Sequence, residues 1–139
     1  MGLTLAYLND NHGVMATAFG ELTGAELIDA VRRTNDFAVT AKGLCYTFFD
    51  FGSVKTISIS IGDVARAADC AIEAAKLSDT ERIVSIFANG EFSYRLALLY
   101  MTFIEETGWE VWVFRDRSEA VSWLRGRVAL KHGIIADVG

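Results

Sequence analysis

Proline is absent from this 139-residue chain, and cysteine and histidine occur only twice each. Without proline, and without any glycine/serine-rich or charge-rich stretch, no linker divides the chain, so we expect a single domain. Cys45 and Cys70 form no metal-ligand motif with a histidine, which favours a reduced, cytoplasmic setting and no bound metal. Neither type of glycine-rich phosphate loop occurs, and we predict no cofactor and no enzymatic activity.

Positive charge is also scarce, since 13 Lys and Arg stand against 18 Asp and Glu, a net charge of −5. This balance does not favour binding to nucleic acid. The longest uncharged apolar run covers residues 96–104, far short of the ~20 residues that a membrane span needs. The first five residues lack the basic region and cleavage site of a secretory signal. We therefore expect contact with a membrane to be peripheral at most.

Apolar residues make up 52% of the chain, and their periodicity predicts an α/β fold. The predicted strands cover residues 3–8, 14–19, 44–51, 82–88 and 109–114. The predicted helices begin near residues 24, 60, 91 and 117, and the first and third end near residues 34 and 107. The order β-β-α-β-α-β-α-β-α favours a mostly parallel five-stranded sheet with right-handed crossovers and an antiparallel hairpin at its edge.

The segment Phe114–Leu124, FRDRSEAVSWL, resembles the C-terminal motif of small bacterial STAS-like proteins, the SpoIIAA-like family. Residues 19–24 and 92–97 resemble two further segments of that family. The resemblance implies the fold of anti-sigma-factor antagonists, which is akin to the CRAL-TRIO lipid-binding core, and it implies no catalytic residues. It extends over nearly the whole chain, so we predict a STAS-like domain over residues 1–127. A tail over residues 128–139 then docks on its own domain or contacts a second subunit.

The resemblance also implies an alternative function, a phospho-regulated anti-sigma-factor-antagonist switch. In such antagonists a serine at the start of the second helix is phosphorylated within a D-S-S-G-type loop. The corresponding residues 50–62 of this chain contain Ser58 and Ser60 but no D-S-S-G sequence. Under this alternative, Ser58 or Ser60 is the phosphorylated residue.

The predicted third helix has more apolar surface than one face of a sheet can cover. One apolar stripe comprises Phe92, Leu96, Leu99 and Phe103. A second stripe, on the opposite side of the helix, comprises Tyr94, Leu98 and Met101 and is flanked by Ala97. The first stripe covers the sheet in this interpretation, so the second is buried by a neighbouring helix, a second copy of the chain or a ligand.

A second candidate surface is the rim at the carboxyl ends of the parallel strands, where ligands usually bind in open α/β sheets. The predicted strands place Phe51, Asn89 and Arg115 on this rim. Helix N-termini on the same rim favour an anion, and Phe51 adds an apolar surface, a combination that suits a lipid headgroup with part of its chain. Ser60 and Asp116 are equally explained as helix caps, and Arg115 as a surface charge.

The sequence therefore predicts a non-enzymatic STAS-like binding or regulatory module, a homodimer that engages a regulatory protein or a hydrophobic, lipid-like ligand. The residues predicted to bind the partner or ligand are Tyr94, Leu98, Met101, Phe51, Asn89 and Arg115.

Overall fold

The computed structural model describes residues 2–41 and 43–139. The domain predicted to begin at residue 1 includes Met1 and Lys42, which lie outside the described residues. The elements are β1 (Leu3–Leu8), β2 (Gly13–Thr23), α1 (Gly24–Ala41), β3 (Tyr46–Ser58), α2 (Ile61–Lys76), β4 (Ile83–Phe87), α3 (Glu91–Phe103), β5 (Glu110–Phe114) and α4 (Arg117–His132). A short 3-10 turn, Glu105–Thr107, follows α3.

The strands form one sheet in the order β1-β2-β3-β4-β5, which is also their order along the chain. β1 and β2 pair antiparallel, and the other neighbouring strands pair parallel. The β1–β2 turn contains Asn9, Asp10 and Asn11, all with positive φ, a conformation that Asn and Asp tolerate better than most residues. The predicted α/β architecture with an antiparallel edge hairpin is confirmed.

Two layers of helix cover the sheet. α1, α2 and α3 pack on one face with Phe49 of β3, whereas α4 packs on the other face with Tyr46 and Phe48. This division follows from the alternation of side chains along a strand, which sends successive residues to opposite faces. Because both faces are covered over β4 and over residues 46–50 of β3, which pair with it, these stretches are buried almost throughout.

Two strands and one helix are longer than the sequence predicts. β2 and β3 remain paired as far as Thr23 and Ser58, through bulges that begin near Thr17. Their outer halves carry exposed polar residues, so the apolar pattern ends before the strands do. α1 continues past residue 34 to Ala41 because Phe37 and Ala38 pack against the buried Leu44.

α4 also continues beyond the predicted domain boundary at residues 127/128, which falls inside this helix. Val128 is fully buried on the sheet, as are Ala136 and Val138 in the segment that follows α4. The Arg125 guanidinium donates to the backbone carbonyls of Ala136, at 3.3 Å, and Val138, at 2.5 Å. In this structure the tail therefore packs on its own domain.

Candidate functional site

An apolar cavity lies between α1, α2, α3 and the sheet, at the carboxyl ends of β2, β3 and β4. We call it the rim cavity, and its volume is about 40 Å³. Its lining residues are Leu22, Leu27, Val31, Phe49, Phe51, Ile57, Ile59, Val64, Ile86, Ser93, Leu96, Ala97 and Tyr100. All of these side chains except those of Ser93 and Tyr100 are hydrocarbon. The cavity therefore offers almost no hydrogen-bonding partners to anything inside it.

The end of β3 and the start of α2 form one wall of the rim cavity. Ile57 and Ile59 are half-buried and line the cavity, whereas Ser58 and Ser60 between and after them are exposed. Extended backbone accounts for this arrangement, because alternate side chains of an extended segment point in opposite directions. The two serines singled out from the sequence therefore lie on the outer side of a cavity wall.

Ser60 is the N-cap of α2. Its Oγ accepts a hydrogen bond from the backbone N–H of Asp63 at 3.1 Å, and the Asp63 carboxylate accepts one from the Ser60 backbone N–H at 3.0 Å. The sequence favoured Ser60 as a helix cap, and the structure shows that it forms a reciprocal capping box with Asp63. The hydrogen bond from the Ser60 backbone, followed by the one from Arg66, lowers the pKa of the Asp63 carboxyl below its ordinary value. A negative charge thus already lies beside the exposed Ser60 hydroxyl at neutral pH.

The structure changes the predicted roles of the two apolar stripes on α3. Ala97 is the most buried residue of the helix and lies closest to the sheet, whereas Phe92 is 54% exposed. Tyr94, Leu98 and Met101 are half-buried against the core between the sheet and the helices. The interpretation that the Phe92 stripe covers the sheet is therefore wrong, because the small side chain of Ala97 brings the other flank of α3 onto the strands.

Only one of the predicted binding residues, Phe51, lines the rim cavity. Its ring stacks on Phe49, with 5.9 Å between the ring centroids. Arg115 lies instead beside α3, with its guanidinium 3.8 Å from the centre of the Tyr94 ring and 3.4 Å from the Glu91 carboxylate. Asn89 is exposed in the connection between β4 and α3.

The predicted residues therefore divide between two surfaces. At about 100° per residue, the cavity-lining Ser93, Leu96 and Tyr100 occupy one flank of α3. Tyr94, Leu98 and Met101 occupy the opposite flank, on the side of Arg115 and the end of β5. The sequence did not single out Ile57 and Ile59 as site residues, although the alternation Ile-Ser-Ile-Ser was a signal that could have identified them.

A buried arginine that the sequence treated only as a strand residue lies at the opposite end of the sheet. Arg82 is 4% exposed, its Nη1 donates to Asn35 Oδ1 at 2.6 Å, and its guanidinium stacks 4.0 Å from the centre of the Trp109 ring. Its Nε has no hydrogen-bond partner among the described residues. Burial lowers the pKa of Arg82 to about 10, so the side chain remains charged at neutral pH. This residue ties α1 to the starts of β4 and β5.

Groups with catalytic or metal-binding chemistry are dispersed. Among residues 2–41 and 43–139, no three His, Cys, Asp or Glu side chains are grouped so that they could hold a metal ion. Cys45 is buried, and burial raises the pKa of its thiol, which reduces its reactivity. Over the same described residues, no helix has both the length and the apolar character required to cross a membrane.

The sheet order, the edge hairpin and the distribution of helices on the two faces define the SpoIIAA-like, or STAS, fold. Solved structures with this fold match nearly the whole chain. An uncharacterised DUF3478-family protein with a SpoIIAA-like fold from Shewanella loihica PV-4 matches with a TM-score of 0.55 and 16% identity, over 88% of this chain and 94% of that one. These values show a shared fold.

The Bacillus cell fate determinant SpoIIAA in its phosphorylated form matches with a TM-score of 0.52 and 14% identity, over 88% of this chain and 99% of that one. The anti-sigma factor antagonist SpoIIAA in its unphosphorylated form matches with a TM-score of 0.49 and 12% identity, over 89% and 98% of the two chains. No protein-family model matches the chain, and no curated protein matches its sequence.

Proposed function

We propose that this chain is a non-enzymatic binding module with a SpoIIAA-like fold that takes the apolar part of a lipid-like ligand into the rim cavity. The observation that carries the proposal is the cavity itself, which has a hydrocarbon lining and lies at the carboxyl ends of parallel strands. Ligands of open α/β sheets commonly bind at this end.

The size of the cavity limits what can enter it. A volume of about 40 Å³ corresponds to roughly three water-sized probes, since one such probe needs ~10–15 Å³. A single alkyl chain end fits this space, whereas a ring system or a nucleotide does not. A polar group inside would lose its hydrogen bonds to water without replacement, at a cost of about 1–3 kcal/mol. The polar end of an amphiphile therefore stays at the mouth of the cavity.

The mouth can receive the rest of an amphiphilic ligand. Phe51, Ile57 and Ile59 are half-buried and extend the apolar surface towards solvent. The exposed N-terminus of α2 at Ser60 follows directly; its dipole attracts an anionic group, whereas the Asp63 carboxylate in the capping box repels one. This arrangement supports an amphiphilic ligand with an alkyl chain inside and a polar group outside, and a comparison of decanoate with 1-decanol decides whether that group is charged.

A titration with decanoate and 1-decanol, followed by methyl NMR shifts and the thermal unfolding midpoint, tests this function. We expect saturable shifts of the methyl groups of Ile57, Ile59 and Leu96, and a midpoint that rises with ligand concentration because the ligand binds only the folded state. The variant Ser93→Leu, which fills the cavity, should weaken binding about tenfold or more. Thr102→Leu, a matched change on the exposed side of α3, should not.

Two results would contradict the proposal. One is the absence of saturable shifts at the cavity methyl groups with either ligand. The other is binding that Ser93→Leu and Thr102→Leu affect equally, which would indicate non-specific association with the surface. Stronger binding of decanoate than of decanol would support an anionic group at the mouth, and the reverse order would restrict the proposal to the alkyl chain.

A second candidate function is a phospho-regulated switch, and the exposure of Ser58 and Ser60 at the start of α2 favours it. One of the solved structures with the same fold is described as a phosphorylated form. A phosphate on Ser60 would lie beside the Asp63 carboxylate, and their repulsion would oppose the capping box. Because Ile57 and Ile59 lie on the same segment, such a change would alter the cavity wall.

Intact-mass analysis and site mapping of protein isolated from its native cells test this switch. A mass increase of one phosphate that maps to Ser58 or Ser60 would support it. Uniformly unmodified protein under all growth conditions would count against it. A phosphomimetic Ser60→Asp variant should change decanoate affinity, whereas Ser118→Asp, at the start of α4, should leave it unchanged.

A further inference from the structure

β5 is the last strand of the sheet and has a neighbouring strand on one side only. The backbone N–H of Glu110 donates to the Arg82 carbonyl, and the Phe114 carbonyl accepts from Ala88, so these residues of β5 turn their polar groups towards β4. In a parallel pair alternate residues bond to the same neighbour, so the N–H and C=O groups of Val111 and Val113 point away from the sheet. The edge therefore carries two donors and two acceptors that no neighbouring strand uses, and Val113, which is 5% exposed, must be uncovered by its neighbouring side chains when a further strand pairs with it.

Trp112 lies between these two valines and is 55% exposed. It shares the α4 face of the sheet with Phe114, which packs on Trp123 with 5.6 Å between ring centroids. Among the described residues, Trp112 itself has no aromatic partner. Tyr7 on the opposite edge strand, β1, differs, because its ring already packs 4.4 Å from that of Phe37. The β5 edge is thus the one with an uncovered large aromatic side chain.

The sequence around Trp112 is self-complementary. Val-Trp-Val reads the same in both directions, so a second copy that runs antiparallel about a two-fold axis at Trp112 places Val111 opposite the partner's Val113. In this register Val111 and the opposite valine of the second copy each donate a backbone N–H to the other's carbonyl. It also sets the two Trp112 side chains directly opposite each other, a favourable cross-strand aromatic pair. A symmetric interface requires this kind of self-complementarity.

The charged residues at the two ends of α3 favour the same antiparallel orientation of the two copies. Arg95 and Arg115 are exposed at the end of α3 that adjoins the C-terminal end of β5, together with Glu91, to which both are paired. Glu105 and Glu106 are exposed at the other end of α3. Antiparallel pairing of two copies brings the end with the two arginines of one copy next to the end with the two glutamates of the other.

We propose that two copies of this chain form a homodimer by pairing their β5 edges antiparallel about Trp112, which joins the two sheets into one. The half-buried flank formed by Tyr94, Leu98 and Met101 lies on the β5 side of α3 and borders this interface. These residues thus contribute to a contact with the second copy, separate from the rim cavity. The proposal is independent of the ligand proposed above.

Sedimentation and light scattering measure the association directly. We expect a mass of twice 15.3 kDa at high micromolar concentration. Trp112→Lys should raise the dissociation constant about tenfold or more, because it places like charges at the two-fold axis and removes the aromatic pair. Tyr7→Lys, a matched change on the β1 edge, should leave the dimer intact.

Cysteine cross-linking tests the register. Residues opposite each other at a non-hydrogen-bonded antiparallel position lie about 4.5 Å apart between Cα atoms, which is within disulfide range. Trp112→Cys should therefore form a covalent dimer under mild oxidation. Arg115→Cys should not, because the six-residue offset from its symmetry mate corresponds to ~20 Å along the strands. The wild-type chain, oxidised in parallel, controls for Cys45 and Cys70.

A charge exchange tests the orientation. Arg115→Glu and Glu106→Lys should each weaken the dimer, and the two changes together should restore much of the affinity. A protein that is monomeric at high micromolar concentration overturns the proposal. A dimer that persists in Trp112→Lys, or that fails to cross-link through Trp112→Cys, overturns it equally and assigns the contact to another surface.

Discussion

Ile59 and Ser60 are adjacent in the chain but face opposite environments. The Ile59 side chain lines the rim cavity, while the Ser60 hydroxyl caps α2 on the solvent side. A change at the exposed hydroxyl therefore acts on the same short segment that forms the cavity wall. This relationship connects the two functions proposed for the chain, ligand binding and regulation at α2.

The cap itself is open to a direct stability test. Ser60→Ala removes the acceptor for the Asp63 N–H, and we expect the free energy of unfolding to fall by about 1 kcal/mol. Ser60→Thr keeps a hydroxyl acceptor at this position without adding charge beside Asp63, and it should lose less. Ser58→Ala, an exposed change at the end of β3, should stay within about 0.5 kcal/mol of the wild type. Urea unfolding measures all three, and equal losses in Ser60→Ala and Ser58→Ala would refute the role of the cap.

The tail after α4 is predicted to contribute to the stability of the domain through Val138. This side chain is fully buried, so Val138→Ala should lower the free energy of unfolding by about 1–2 kcal/mol, through two lost methyl groups and the space they leave. Ile135→Ala, at a position that is 77% exposed, is the matched control and should change it by less than about 0.5 kcal/mol. A negligible effect of Val138→Ala would show that the tail is detached in solution.

The buried pair Arg82 and Asn35 predicts an asymmetric response to mutation. Asn35→Ala removes the acceptor of the buried guanidinium and leaves a charge without a hydrogen-bond partner, so we expect a loss of about 3 kcal/mol. Arg82→Met removes the charge and keeps an apolar stem against Trp109, so it should cost less. Thermal and urea unfolding of both variants show which of the two loses more stability. A larger loss for Arg82→Met would show that the charge itself stabilises the fold.

Stability should depend on pH through Glu110. Hydrogen bonds from Arg127 and then from Lys131 lower the pKa of the Glu110 carboxyl below its ordinary value of 4.5. A group with a lowered pKa in the folded state stabilises the fold above its unfolded pKa and loses this effect as the pH falls through its folded pKa. Glu110→Gln should therefore be less stable than the wild type at pH 7, and the difference should disappear in strongly acidic solution. A difference that does not change between pH 7 and pH 3 would contradict this assignment.

Most of the fold follows from local sequence signals. The pairs Thr23 with Glu26 and Ser60 with Asp63 have the spacing of capping boxes, and both form reciprocal hydrogen bonds at the helix starts predicted near residues 24 and 60. The end of α3 differs, because α3 ends at Phe103 rather than near residue 107, and the left-handed Gly108 ends the 3-10 turn that follows. Each capping pair depends on residues three positions apart, which is why the sequence alone located these two helix starts.

The elements that differ depend on contacts between distant residues. The last turns of α1 exist because Phe37 and Ala38 meet Leu44, and no local pattern reveals that contact. A prediction of the rim cavity would have required knowing which flank of α3 faces α1 and α2. Helical periodicity identified two apolar flanks but not the position of Ala97 against the sheet, and the flanks were therefore assigned the wrong way round.

The coincidence of strand order with chain order has a kinetic consequence. Every pair of neighbouring strands is joined by a single turn or a single crossover, so the loops that must close during folding are short for a parallel sheet. One set of bonds is an exception, since Asn9 holds the backbone of Ile135 and Asp137 across more than 120 residues. Refolding should thus begin quickly by sequential growth of the sheet, and the closure between the first hairpin and the far end of the chain should come last.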